Sequence, residues 1–126
     1  MTLTFYGIDP TWILSGDEDA LAVGYDERIS FVDMSNVTKK SDIKLEGRFY
    51  EFIPEPRGYS CIALHELGVA KFSFSGTELW SVSTPDIAET AGIVGGDRIV
   101  VRHQGPGGTM AIDLESGRVC SVESSS

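Results

Sequence analysis

Cysteine, histidine and basic residues are all scarce in this chain, and each scarcity closes off a class of function. Cys61 and Cys120 are the only cysteines, too few for a disulfide framework and without the spacing of a metal site or redox pair, so two free thiols are expected. Histidine is limited to His65 and His103. Ten basic residues stand against nineteen acidic ones, a net charge of -9, which repels phosphate backbones and argues against direct nucleic-acid binding. No apolar run approaches the ~18 residues of a membrane span, and the first residues lack the basic-then-apolar order of a secretory leader, so a cytoplasmic protein is expected. Helix-period stretches are missing as well.

What is present is a series of short Val, Ile, Phe, Tyr and Trp runs punctuated by Gly, Pro and Asp-Glu pairs, the pattern of strands joined by tight turns. Ten strands are expected: Leu21 to Tyr25, Arg28 to Met34, Ile43 to Ile53, Tyr59 to His65, Val69 to Phe74, Glu78 to Ser83, Ala91 to Val94, Arg98 to Arg102, Thr109 to Leu114 and Arg118 to Val122. At 126 residues the chain has the size of one domain, with a frayed tail expected over 121–126.

A spacing of 40 residues recurs with its alternation intact. Ser30, Val32 and Met34 fall on Ala70, Phe72 and Phe74, and these on Met110, Ile112 and Leu114. Each triplet lies on one face of a strand. The preceding strand aligns too, Leu21 to Tyr25 on Cys61 to His65, and in the third copy it sits 38 residues further on because the loop from His103 to Gly108 is two residues longer. The repeat hairpins are thus 21–34, 61–74 and 98–114.

The third copy, Asp97 to Val101 followed by Met110-Ala111-Ile112-Asp113-Leu114-Glu115-Ser116-Gly117-Arg118-Val119, resembles a blade of the quinoprotein (PQQ-type) β-propeller, whose hairpins carry an A-x-D-x-x-x-G pattern. The second copy, Phe72 through Trp80, includes the aromatic that such blades often carry after the turn, with Ser73 where the blade Asp would stand. The resemblance implies sheets packing face to face. Three blades do not close a propeller, for which four to eight are typical. The expected fold is therefore all-β, an antiparallel hairpin meander folded as a barrel or sandwich with three blade-like repeats; a three-blade half-assembly or a β-trefoil are the alternatives, although the trefoil's Gln-x-Trp signature is missing.

Candidate chemistry is sparse. His65 and His103 end equivalent strands and, with Glu66, contain the elements of a zinc or acid-base site, but both flank turns where a solvated histidine is ordinary. Asp17-Glu18-Asp19 lacks the alternating register of a calcium loop. Gly105-Pro106-Gly107-Gly108 is not followed by the Lys-Ser/Thr and helix of a phosphate cradle. Tyr6, Trp12, Tyr25, Tyr50, Tyr59 and Trp80 suit a sugar-binding surface or a core equally. No enzyme, cofactor or metal is expected.

The charge is lopsided: residues 1–35 carry seven acids against Arg28 alone. A small acidic domain of this kind is similar in profile to bacterial immunity proteins, which present carboxylates to the cationic clefts of basic toxins such as nucleases. That likeness implies a basic protein partner held by Asp17, Glu18, Asp19, Asp26, Glu27, Asp86 and Glu89. The alternative is a propeller-like structural or ligand-binding module that self-associates.

Overall fold

The computed structural model describes residues 11–123, with side chains up to residue 120. Every regular element among them is a strand: β1 (Thr11–Leu14), β2 (Ala20–Tyr25), β3 (Arg28–Asp33), β4 (Thr38–Lys44), β5 (Phe49–Pro54), β6 (Ser60–His65), β7 (Gly68–Ser73), β8 (Glu78–Ser83), β9 (Ala88–Val94), β10 (Arg98–His103), β11 (Thr109–Asp113) and β12 (Val119–Glu123). They form three separate four-stranded antiparallel meanders, β1 to β4, β5 to β8 and β9 to β12. The chain is all-β with blade-like repeats, as expected, but the sheets do not close into a barrel.

Two strand readings are corrected. The single strand expected from Ile43 to Ile53 is two, because Leu45 to Arg48 turn the chain from the outer edge of one sheet to the inner edge of the next. β1 was hidden by its shortness. Of the tail expected over 121–126, residues 121–123 finish β12; residues 124–126 lie outside the described residues, as does Tyr6.

The 40-residue spacing is a structural repeat. Val23 pairs with Ser30, Ala63 with Ala70 and Val101 with Met110, so the central hairpin keeps one register in all three sheets. The Asp of the hairpin pattern acts as a turn clamp. Asp33 accepts from the backbone N–H and hydroxyl of Ser35, and Asp113 from those of Ser116. Ser73 does the same work with a hydroxyl, accepting from the Thr77 N–H at 3.1 Å.

Sheets stack face to face across two apolar seams. In the first, Ala22, Ile29 and Phe31 meet Cys61, Ala63 and Phe72, with the Phe31 and Phe72 rings tilted at a centroid distance of 6.0 Å. In the second, Ile62, Leu64 and Val69 meet Ile99, Val101 and Ile112. Here Lys71 Nζ and Trp80 Nε1, both from the second sheet, donate to the Leu114 carbonyl of the third at 3.0 and 3.1 Å. Trp80 also lies against Gly117, where an added Cβ would fall 2.4 Å from the indole and φ is +75°; only glycine fits there without strain.

Position in the stack explains the local sequence. β6, Ser-Cys-Ile-Ala-Leu-His, is buried at every residue because its sheet has a neighbour on both faces, and so reads as a continuous apolar run. β10, Arg-Ile-Val-Val-Arg-His, alternates because only one of its faces is covered. Strand β5 lies beside both β1 and β9, which places the first strands of the three sheets together at the inner edge.

Phe72→Ala, which empties the middle of the first seam, is expected to cost about 3–5 kcal/mol, whereas Tyr50→Ala at an exposed position changes stability by about 0.5 kcal/mol or less. Urea unfolding of the two variants checks this; equal costs would contradict the seam.

Candidate functional site

The loops gather at two ends of the stack. The upper end holds the β1–β2, β3–β4, β5–β6, β7–β8, β9–β10 and β11–β12 connections; the lower end holds the rest. At the upper end, Gly16 donates its N–H to the Gly58 carbonyl at 2.8 Å, drawing the β1–β2 loop of the first sheet against the β5–β6 loop of the second. Beside this junction lies an open groove of about 450 Å³, lined among others by Asp17, Asp19, Asp33, Lys40 and Tyr59.

Local hydrogen bonds hold the groove's carboxylates in place. Asp17 Oδ1 accepts from Ser15 Oγ at 2.5 Å and from the Asp19 N–H at 3.0 Å, and the Ser15 hydroxyl and Asp19 amide keep its carboxyl below the usual range. The Ser35 hydroxyl and amide do the same for Asp33. Both are anionic throughout the neutral range. The groove therefore offers two fixed carboxylates, a third on Asp19, the Lys40 ammonium, and the ring of Tyr59, 77% exposed. Such a lining suits a cationic side chain, which a carboxylate pair and an aromatic face hold together.

Tyr59 is presented by a rigid loop. Glu55, its side chain only 1% exposed, accepts from the Arg57 N–H, from Arg57 Nε and from the Tyr59 N–H, each at 3.2 Å. Burial alone would raise the Glu55 carboxyl, but these donors outweigh it and hold it below its ordinary value. Arg57 also reaches Glu115 of the third sheet at 3.0 Å and lies 6.0 Å from the Tyr59 ring centre. One loop of the middle sheet thus touches both neighbours.

Of the residues expected to meet a partner, Asp17 and Asp19 line the groove, with Glu18 exposed between them. Asp26 and Glu27 form the β2–β3 turn at the lower end, where their carbonyls accept from Phe49 and Leu45. Asp86 caps the Ile87 N–H in the β8–β9 loop, and Glu89 is exposed on β9. The set is divided between the two ends. Asp33, Lys40 and Glu55 were not anticipated; they join the site through topology.

His65 and His103 occupy equivalent positions, and each ring serves its own turn. Nδ1 of His65 accepts from the Leu67 N–H and Nδ1 of His103 from the Gly105 N–H, both at 3.2 Å, which puts the proton of the neutral ring on Nε2. Burial pushes the His65 imidazole below its ordinary value against the opposing pull of Glu46 and Glu66. Among the described residues, no group of three or more His, Cys, Asp or Glu side chains is arranged to hold a metal ion. Cys61 is buried, its thiol pushed up to about 12 by desolvation, and Cys120 is exposed; both are free. No helix of the described residues is long and apolar enough to cross a membrane.

Neither a protein-family model nor a curated protein sequence matches the chain. Solved structures do. Hydrazine synthase from Kuenenia stuttgartiensis superposes with a TM-score of 0.68 at 15% identity over 90% of this chain. BamB from Moraxella catarrhalis gives a TM-score of 0.63 at 12% identity over 86%. The fold is propeller-like. The chain spans about a third, 34%, of each of those chains.

The Glu55 loop makes an acid-sensitivity prediction. Because the folded-state carboxyl lies below its ordinary 4.5, its stabilisation is fully present above that pH and lost as pH falls through the folded value. Glu55→Gln should cost about 1.5–3 kcal/mol at neutral pH and flatten the acid limb of a pH series of urea midpoints; an unchanged acid limb would contradict the assignment.

Proposed function

We propose that this chain is a propeller-like ligand-binding module, without catalytic activity, whose upper-end groove takes a basic segment of a protein partner. The observation that supports this reading is the groove itself, where Asp17 and Asp33 are fixed and anionic and Tyr59 stands exposed on a braced loop. Rigid strands carrying variable loops are a common way to hold binding groups in place. A net charge of -9 adds long-range attraction for a cationic partner.

The finer reading, an immunity protein that neutralises a basic toxin, has only the acid content behind it. The carboxylates available to it sit in two groups at opposite ends of the stack, so an inhibitory partner covering Asp17 to Asp19 would not also cover Asp26 and Glu27. The groove-binding module is the more economical proposal.

Titration of the chain with a fluorescein-labelled lysine-rich peptide, followed by anisotropy, tests it. Binding should be saturable, absent for a glutamate-rich peptide of equal length, and weakened about fivefold or more by Asp17→Asn/Asp33→Asn or by high salt. Asparagine keeps the turn-clamping carbonyl while removing the charge. A peptide that does not bind, or that binds the double variant equally well, contradicts the proposal.

A further inference from the structure

At the lower end, hydrogen bonds between sheets converge on the β6–β7 turn. Glu66 donates its N–H to the Arg48 carbonyl of the β4–β5 connection at 2.9 Å, and its own carbonyl accepts from Ala88, the first residue of the third sheet, at 2.9 Å. The Leu67 carbonyl accepts from the Thr84 N–H, in the β8–β9 connection, at 3.0 Å. Two residues thus hold both the chain entering the second sheet and the chain leaving it. His65 fixes this turn from inside: it is 3% exposed, and its Nδ1 accepts from the Leu67 N–H. In the first sheet the repeat-equivalent residue is Tyr25, whose hydroxyl meets Ser30 Oγ at 2.9 Å instead. The β2–β3 turn therefore catches its connection without an imidazole, the Asp26 and Glu27 carbonyls accepting from the Phe49 and Leu45 N–H groups.

The pin at Leu67 depends on the charge of the ring. A neutral imidazole has one acceptor nitrogen and the imidazolium has none, so a proton on Nδ1 sets one N–H against another and places a charge where water is excluded. Burial accordingly holds the His65 imidazole below its ordinary 6.5. The charged groups acting on the ring are Glu46, from the β4–β5 connection, and Glu66, from its own turn. Its strand partners are Phe49 on β5 and Gly68 on β7, and the third sheet meets the turn through Ala88; none of these carries a charge. Neutral, the ring serves the turn; protonated, it is drawn to the two carboxylates.

We infer that the β6–β7 turn is an acid-released joint: a proton on His65 breaks the bond to Leu67 and frees both connections, loosening the second sheet from its neighbours at the lower end. The ring's contribution is fully present above pH 6.5 and is lost as the pH falls through the lower, folded-state value. The upper end responds separately. Glu55, which braces the β5–β6 loop, has its carboxyl below 4.5, so the joint opens while the groove keeps its shape. The inference does not depend on what the groove binds.

Amide hydrogen exchange of the full chain at neutral pH and at about pH 5, expressed as protection over the intrinsic rate at each pH, tests this. Protection at Glu66, Leu67, Thr84 and Ala88 should fall about tenfold or more at the lower pH, while Leu45 and Phe49, held by the β2–β3 turn, keep theirs. His65→Asn places a carbonyl oxygen where Nδ1 stands and does not titrate, so the same amides should be equally protected at both pH values. Glu46→Gln/Glu66→Gln removes the carboxylates that favour the proton and should move the loss to lower pH. Unchanged protection in the wild type, a loss shared equally by Leu45 and Phe49, or a loss in His65→Asn matching the wild type would overturn the inference. Should His65→Asn not fold, the carboxylate variant, which leaves the imidazole in place, decides: a loss at the wild-type pH would also overturn it.

Discussion

Burial of both faces of the middle sheet is the constraint on which the rest of the structure depends. A sheet of four strands has two faces to cover, and face-to-face stacking about 10 Å apart covers them at the cost of requiring small or interlocking side chains wherever backbones approach. Cys61 and Ala63 look one way from β6, Ile62 and Leu64 the other. The phenylalanine pair fills the first seam, whereas branched aliphatics, with the Trp80 and Lys71 side chains at the edge, fill the second. Glycines stand where no side chain fits: Gly24 faces the Phe49 ring, where a Cβ would fall 2.3 Å away, and Gly117 faces Trp80. Stacking in this way also sets loops from adjacent sheets side by side, and the groove is a consequence of that.

Much of the architecture was legible in the chain because alternation and spacing are properties of the strands themselves. The central hairpins appeared as three aligned triplets, and the two-residue insertion before Gly108 was placed in the loop where the structure has it. The outer strands were harder to read. β4, Thr-Lys-Lys-Ser-Asp-Ile-Lys, is polar nearly throughout because an edge strand at the rim has little to bury, and its start was missed. The barrel among the expected closures was misread for a different reason: a repeat of hairpins states how strands pair, not how sheets stack, and stacking is decided by which alternate face is apolar.

The site was legible only in fragments. Asp17 and Asp19 stood out as charge, but no local signal joined them to Asp33 and Lys40 of the β3–β4 hairpin or to Tyr59 of the β5–β6 loop. Glu55 looked like one more surface acid between two prolines, yet its carboxylate is buried and organises the loop that presents Tyr59. His65 and His103 drew notice as potential ligands because they are rare and equivalently placed. Their equivalence has a structural cause: each accepts a backbone N–H two residues on and closes the same turn of the repeat. Rarity of a residue type marks a place to look, and the partners of its atoms decide what it does.

The central claim is that successive sheets pack as blades in direct contact, and Trp80 reports on it most directly. Its indole belongs to the second sheet, while its hydrogen-bond acceptor, Leu114, and the glycine beneath its ring, Gly117, belong to the third. A nuclear Overhauser spectrum read from the Trp80 ring protons should show contacts to Gly117, with the glycine α-protons shifted upfield by the ring. Contacts confined to residues of the second sheet, with Gly117 at ordinary shifts, would contradict the stacked-blade account.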